Sequence, residues 1–246
     1  ASGSRHQNST QGSRLTLRVA IIPARGGSKR IPRKNIKLFC GKPMIVWSIE
    51  AAQQSGCFDH IIVSTDDSEI AEIAKVAGAE VPFMRPAEIA NDYSGTTPVI
   101  QHATRWLTAN AKSKSHIPSQ VCCIYATAPF VQSTDIQNGL AQLLEHHADY
   151  AFSVTSYAFP IQRAIKITPE QRVSMFQSEH FNTRSQDLEE AYHDAGQFYW
   201  GTSEAWLSEK VIFQANSIPI ILPRYRVQDI DTPEDWLRAE RMFKAL

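Results

Sequence analysis

Between Arg25 and Lys37 the chain reads Arg-Gly-Gly-Ser-Lys-Arg-Ile-Pro-Arg-Lys-Asn-Ile-Lys, with six basic residues and no acid. Gly26 and Gly27 remove side chains, so backbone N–H groups can close on an anion, and the flanking cations add Coulomb attraction. The segment is neither GxxxxGK[ST] nor GxGxxG, so it is not a P-loop or a dinucleotide fingerprint. A solvated basic turn is the competing reading, but such turns rarely gather one sign of charge at a strand end. A second cluster lies near the other end, at Gln228-Asp229-Ile230-Asp231-Thr232-Pro233-Glu234-Asp235-Trp236. Asp229 and Asp231 are two apart, so extended backbone points both carboxylates the same way. Paired hard oxygens suit Mg²⁺, whose octahedron is completed by water and phosphate oxygens. Thr232 and Pro233 read as the N-cap and first residue of a helix, where Glu234 and Asp235 would favour the dipole. A cationic phosphate cradle and a carboxylate pair together suggest nucleoside triphosphate chemistry.

Elements that could position these groups follow from periodicity. Leu17–Ala24 reads as a buried strand that delivers the basic loop at its carboxyl end, where open α/β sheets bind ligands. Strands are expected at 60–65, 81–85 and 120–127, and helices at 43–55, 68–77, 98–109 and 135–147, with Ser68 as an N-cap and Gly78 as a C′ residue. That alternation means βαβ units and a mostly parallel, three-layer Rossmann-like α/β sheet. After about Ala148 the rhythm changes. Runs at 150–157, 163–167 and 173–176 suggest an antiparallel excursion, before strands at 197–201 and 218–222 and a closing amphipathic helix from Pro233. Residues 15–246 are read as one domain, with an arm at about 150–195. Residues 1–14 are polar, lack an apolar h-region and read as an expression tag or disordered leader. The Asn8-Ser9-Thr10 sequon in that leader is read as incidental.

Composition narrows the partners. Lys plus Arg and Asp plus Glu are both 25, so the net charge is zero and a whole-molecule grip on nucleic acid or an anionic membrane is not expected. No basic and aromatic residues interleave as a single-strand platform would require. No apolar run approaches the roughly 18 residues of a membrane span. The four cysteines form no CxxC pair and fit a reducing compartment, with Cys122 and Cys123 reading as core.

The run Ile-Pro-Ala-Arg-Gly-Gly-Ser-Lys-Arg-Ile-Pro-Arg-Lys-Asn-Ile-Lys, followed by Arg85-Pro86-Ala87-Glu88-Ile89-Ala90 and the Asp229–Trp236 segment, resembles the bacterial cytidylyltransferases of nonulosonic acids. The resemblance covers about Leu17 to Leu246. The sialic acid enzymes carry Gln-Pro-Thr-Ser-Pro after the central strand, whereas this chain has Tyr125-Ala126-Thr127-Ala128-Pro129. That run is similar to the pseudaminic acid branch, as are Pro160–Ala164, Asn182–Asp187 and His193–Trp200.

The resemblance implies a nucleotide-diphospho-sugar transferase type of fold, a homodimer formed through the arm, and a cytoplasmic enzyme. It implies CTP-dependent activation of a nine-carbon acidic sugar to its CMP form, with pyrophosphate release, for surface glycan or flagellin glycosylation. Arg25, Gly26, Gly27, Ser28, Lys29, Lys34 and Asn35 would hold the nucleotide phosphates, and Arg85, Thr96 and Thr127 the rest of the nucleotide. Asp229 and Asp231 would hold Mg²⁺, two ions being expected with CTP. Arg25, Lys34, Asp229 and Asp231 would carry catalysis. Tyr125, Gln162, Arg163, His193, Gln197 and Tyr199 would face the sugar, some of them across the dimer. The competing readings are a legionaminic, sialic or 3-deoxy-octulosonic acid enzyme, or a nucleotide-binding module without catalysis.

Among the remaining candidates, His146-His147 ends a helix, where imidazolium would favour the dipole. His193-Asp194 reads equally as a positioned acid/base pair or as an Asp-oriented structural histidine. Trp47, Trp106 and Trp236 fall on helix faces and read as core.

Overall fold

The computed structural model describes residues 17–92, 95–214 and 216–246, so the leader and its sequon lie outside the described residues. In chain order the elements begin with β1 (Leu17–Pro23), a small hairpin of β2 (Leu38–Phe39) and β3 (Lys42–Pro43), and α1 (Met44–Ser55). Next come β4 (His60–Ser64), α2 (Ser68–Val76), α3 (Thr96–Ala109), β5 (Pro118–Ile124), α4 (Ser133–Glu145) and β6 (Tyr150–Ser156). The chain continues with β7 (Ile165–Ile167), β8 (Val173–Met175), β9 (Tyr192–Thr202), α5 (Ser203–Leu207), β10 (Ser217–Ile221) and α6 (Pro233–Lys244).

Six strands form one sheet in the order β10-β6-β9-β5-β1-β4. Every pairing is parallel except those of β9, which runs against both β5 and β6. Strand alternation divides the buried side chains between two faces. Ala20 and Ile22 of β1 pack with Ile45, Ile49, Ile136 and Trp200 on one side, and Val19 and Ile21 pack with Ile100, Tyr199 and Trp206 on the other. Helices cover both faces, which gives the expected three-layer α/β architecture. Cys122 and Cys123 alternate between these two cores and are fully buried.

A third, smaller core matters most for function. Ile31 from the basic loop and Ile230 from between the two aspartates are both buried in it, beside Phe39, Met44, Phe130 and Trp236. Burying each isoleucine stabilises the arrangement by about 1.5–3 kcal/mol. Two segments far apart in sequence are thereby docked on one scaffold.

Several local expectations are corrected. The N-cap of α2 is Asp67, whose Oδ1 accepts the Ile70 N–H at 3.0 Å, not Ser68, which is the first helical residue. Gly78 does adopt a positive φ, 95°, just past that helix. Residues 81–85 form no strand; only an isolated bridge joins Glu80 to Ile62 at the sheet edge. The excursion is shorter than expected, because β6 and β9 belong to the main sheet and only 157–191, with the β7–β8 hairpin, leaves it. Trp236 is buried, while Trp47 and Trp106 are only partly so. His146 caps the carboxyl end of α4 and His147 turns the chain with φ 47°.

Candidate active site

The basic loop leaves β1 at its carboxyl end and is folded by its own hydrogen bonds. Asn35 Nδ2 donates to the Arg25 carbonyl at 3.0 Å, and the Ile45 N–H, in the first turn of α1, donates to the Asn35 carbonyl at 2.8 Å. Gly26 sits so close to the turn after β4 that a Cβ there would lie 2.7 Å from Asp67 Oδ2. Its N–H donates to Asp66 Oδ1 at 2.9 Å, so this amide is engaged by the protein itself.

The six cations separate into two groups. Arg33, in the left-handed region at φ 55°, binds both oxygens of Asp67 and reaches Glu69 at 2.6 Å. Its guanidinium holds the Asp67 carboxyl down to about 2, well below the usual range. Lys37 lies over the Trp236 ring, 4.6 Å from its centroid. These two are structural. Arg25, Lys29, Arg30 and Lys34 instead line a cleft of about 460 Å³ together with Ser28, Asn35, Arg85, Thr96, Tyr125, Thr127 and Asp231. That size suits a nucleotide-scale ligand.

Asp231 faces the loop across this cleft. Its Oδ1 is 3.1 Å from Arg30 Nη2 and 3.4 Å from Lys34 Nζ, and Lys34 also donates to the Ile230 carbonyl at 2.8 Å. Asp231 is held by the start of α6, where Thr232 and Asp235 form a reciprocal capping box and Asp235 also accepts the Asp231 N–H at 3.0 Å. Asp229 does not line the cleft, although its carboxyl is close enough to feel both Asp231 and Lys34. Partial withdrawal of its carboxyl from water, followed by the like charge of Asp231, pushes its pKa up. No ion pair engages Asp229 among the described residues.

Arg85 forms part of the floor. Its Nη2 donates to the Ser64 carbonyl at 2.6 Å and its Nε to Ser64 Oγ at 3.2 Å, yet no carboxylate pairs with it among the described residues. Burial lowers its pKa. Such a guanidinium offers remaining donors to a polar or anionic ligand. Also in the lining, Thr96 Oγ1 and the Tyr125 hydroxyl are 3.4 Å apart, and burial raises the Tyr125 pKa.

The residues expected to face a sugar separate as well. Tyr125 lines the cleft and also a neighbouring cavity of about 520 Å³ that contains Tyr199 and Asp194. The Tyr199 hydroxyl donates to Asp194 Oδ1 at 2.6 Å, and burial raises its pKa strongly. Gln197 is buried away from the cleft, with Nε2 donating to the Arg226 carbonyl at 2.7 Å. Gln162 and Arg163 belong to the excursion, where Gln162 donates to the Glu189 carbonyl at 2.9 Å. His193 Nδ1 lies 2.8 Å from the Asp194 backbone carbonyl, while the Asp194 carboxylate serves Tyr199 and the Gly196 N–H. Among the described residues no carboxylate pairs with His193. None of Gln162, Arg163, His193 and Gln197 lines the cleft of its own chain. Arg30, Asp66 and Asp92 are charged neighbours of the loop that the motifs alone do not single out. A loop of six cations in a chain of zero net charge needs counter-ions, and Asp66-Asp67 directly follows the neighbouring strand.

The carboxyl edge of a mostly parallel sheet, a cationic loop and an acidic residue facing it make a cleft suited to a phosphate-bearing ligand. Residues 19–245 match the family model described as cytidylyltransferase. A pseudaminic acid cytidylyltransferase of Campylobacter jejuni is 46% identical, over 92% of this chain and 96% of that protein. A CMP-N,N'-diacetyllegionaminic acid synthase of Legionella pneumophila is 31% identical, over 92% and 96% respectively. A solved CMP:2-keto-3-deoxy-manno-octonic acid synthetase complexed with CTP shares the fold, with TM-score 0.66, 16% identity, and coverage of 94% of this chain and 99% of that one. The chain belongs to the cytidylyltransferase family.

Proposed function

We propose that this enzyme transfers CMP from CTP to pseudaminic acid and releases pyrophosphate. The observation that carries the reading is the cleft in which Arg25, Lys29, Arg30 and Lys34 face Asp231. The 46% identity to a pseudaminic acid cytidylyltransferase supports the choice of sugar, as does Tyr125 in place of the glutamine of the sialic acid motif.

In this reaction the sugar's anomeric hydroxyl gives up its proton to solvent and forms a bond to the α-phosphorus, the bond to the bridging oxygen breaks, and pyrophosphate leaves. The protein's part is chiefly positioning and charge neutralisation. Lys34 and Arg25 offset charge that grows on the phosphates, Lys29 and Arg30 hold the triphosphate at the mouth, and Arg85, Thr96 and Thr127 hold the nucleoside. Tyr125 and Tyr199 wall the adjoining space for the sugar.

Asp231, with Asp229 behind it, would hold Mg²⁺. The fit rests on donor chemistry. The described residues contain no cluster of three or more His, Cys, Asp or Glu able to bind a metal, but Mg²⁺ with a nucleotide needs only one or two carboxylates. Asp229, its pKa raised by partial burial and then by its acidic neighbour, and without an ion pair among the described residues, is disposed to welcome a cation. When bound, Mg²⁺ supplies Lewis acidity and fixes the phosphate geometry; two ions would accompany CTP.

A homodimer fits the excursion. It exposes Ile167, Val173, Phe176 and Phe181, an apolar set suited to a second copy, which could carry Gln162 and Arg163 to the partner's sugar space. The four free cysteines fit the cytoplasm. No helix among the described residues is long and apolar enough to cross a membrane.

The test is pyrophosphate release from CTP and Mg²⁺ across a panel of pseudaminic, legionaminic, sialic and 3-deoxy-octulosonic acids. Release that depends on pseudaminic acid is expected. Release with another sugar alone would move the specificity. No sugar-dependent release at all would favour a module that binds nucleotide without catalysis.

A further inference from the structure

The cationic mouth of the cleft already holds an anion, and that anion belongs to the protein. Asp92, on the loop after the turn Ala87–Ile89, gives one carboxylate oxygen to Arg25 Nη1 and the other to Lys29 Nζ, the latter at 2.6 Å. Both cations hold the Asp92 carboxyl below its ordinary pKa, Lys29 more than Arg25. Asp66, in the turn between β4 and α2, meanwhile engages the Gly26 N–H. Three donors of the loop are thus satisfied by two carboxylates from different segments.

The two engagements differ in kind. Asp66 binds a backbone N–H from a position set by the sheet edge. Asp92 binds only side chains, and Lys29 is 81% exposed while the Arg25 and Asp92 side chains are each 37% exposed. Exposed ion pairs of this kind are weak and exchange readily. A carboxylate held between a guanidinium and an ammonium also occupies the place of two phosphate oxygens.

We infer that Asp92 is a resident counter-anion of the phosphate cradle, displaced by the phosphates of CTP and returning to Arg25 and Lys29 as pyrophosphate leaves. This rests on the reading of the cleft as a nucleotide site. A triphosphate carries several charges against the single charge of Asp92, so it wins the cations on binding. Once pyrophosphate begins to loosen, the returning carboxylate takes over its partners and shortens its stay. Asp92 is therefore a positioning residue that sets affinity and release. It takes no part in the chemical step.

The experiment compares wild type with Asp92→Asn, which keeps the side-chain shape and removes the charge. Calorimetric titration with pyrophosphate, and separately with CTP, is performed without metal so that neither the sugar nor Mg²⁺ enters. Both ligands are expected to bind about three- to tenfold tighter to the variant, the range that two exposed ion pairs allow. The gain should shrink at high salt and in a Lys29→Ala background. With sugar and Mg²⁺ present, the variant should show a lower KM for CTP and slower pyrophosphate release, with the first turnover at saturating CTP unchanged. Unchanged or weaker binding in Asp92→Asn would overturn the inference, because Asp92 would then be orienting the cations for phosphate. Asp92→Ala and a thermal melt separate that outcome from misfolding: a folded Ala variant without tighter binding counts against the inference as well. If wild type binds neither CTP nor pyrophosphate, the nucleotide reading fails before Asp92 is in question.

Discussion

The ε-ammonium of Lys34 lies 2.8 Å from the Ile230 carbonyl oxygen and 3.4 Å from Asp231 Oδ1, joining positions 196 and 197 residues apart in the chain. The lysine side chain is only 19% exposed. The two chemistry-bearing motifs are thus held together by a cation that also faces the cleft, above the small core where Ile31 and Ile230 meet.

Lys34→Met should therefore act twice. Loss of a charged hydrogen bond to a partly buried carbonyl costs about 1.5–3 kcal/mol, which should lower Tm by several degrees. CTP affinity should fall as well. Melting curves and CTP titration check both effects, and a variant with wild-type values in each would remove Lys34 from both roles.

Removing a main electrostatic group from such a site typically costs about 10²–10³-fold in turnover. Asp231→Asn is expected to show a loss of that size in pyrophosphate release under saturating CTP and sugar. Asp229→Asn should be impaired too, but less, because Asp229 does not line the cleft. Wild-type turnover in Asp231→Asn would discard the metal assignment.

Asp229 should also behave unlike an ordinary surface acid in stability. Its folded pKa is raised, by partial burial first and by Asp231 second, so the unfolded chain ionises more readily and the charged form opposes folding above that pKa. Metal-free Asp229→Asn should consequently melt higher than wild type at neutral pH, with the difference vanishing in acid. A lower melting temperature at pH 7 would contradict this.

Asp67 carries the opposite sign. Arg33 holds its folded pKa at about 2, against 3.8 for an unperturbed aspartate. The unfolded chain binds the extra proton between those values, so the contribution is complete above about pH 4 and is lost as pH falls through 2. Asp67→Asn should melt lower than wild type at pH 6, and the two should converge near pH 2. A constant gap across that range would show that the ion pair is not its source.

Much of this site is legible in the chain because its chemistry is local. The glycine turn, the basic run and the Asp-Ile-Asp-Thr-Pro segment each carry their residue types within a few positions, whereas Ile31 and Ile230, both in loops, are buried together only by the fold. What the sequence leaves open is pairing at a distance. Asp67 and Ser68 are both good caps one residue apart, and in the fold it is Asp67 that has the extended backbone of a cap and accepts the Ile70 N–H, while it also binds Arg33. The apolar run at 81–85 resembles a strand, but it contains Pro82 and lies at the β4 edge, where a single bridge is made. Arg33 and Lys37 look no different from Lys29 and Lys34 until Asp67 and Trp236 claim them. Gln197 belongs to a run that resembles a sugar-facing segment, yet its side chain is buried and donates to the Arg226 carbonyl. Asp92 has no motif at all.

The most direct measurement is a crystal structure with CTP and Mg²⁺ bound. The triphosphate should lie between Ser28–Lys34 and Asp231, with metal on Asp231 oxygen and the cytosine end near Arg85 and Thr96. A nucleotide seated elsewhere, or a triphosphate that touches neither the Gly26–Lys34 turn nor a metal at Asp231, would contradict the assignment of this cleft.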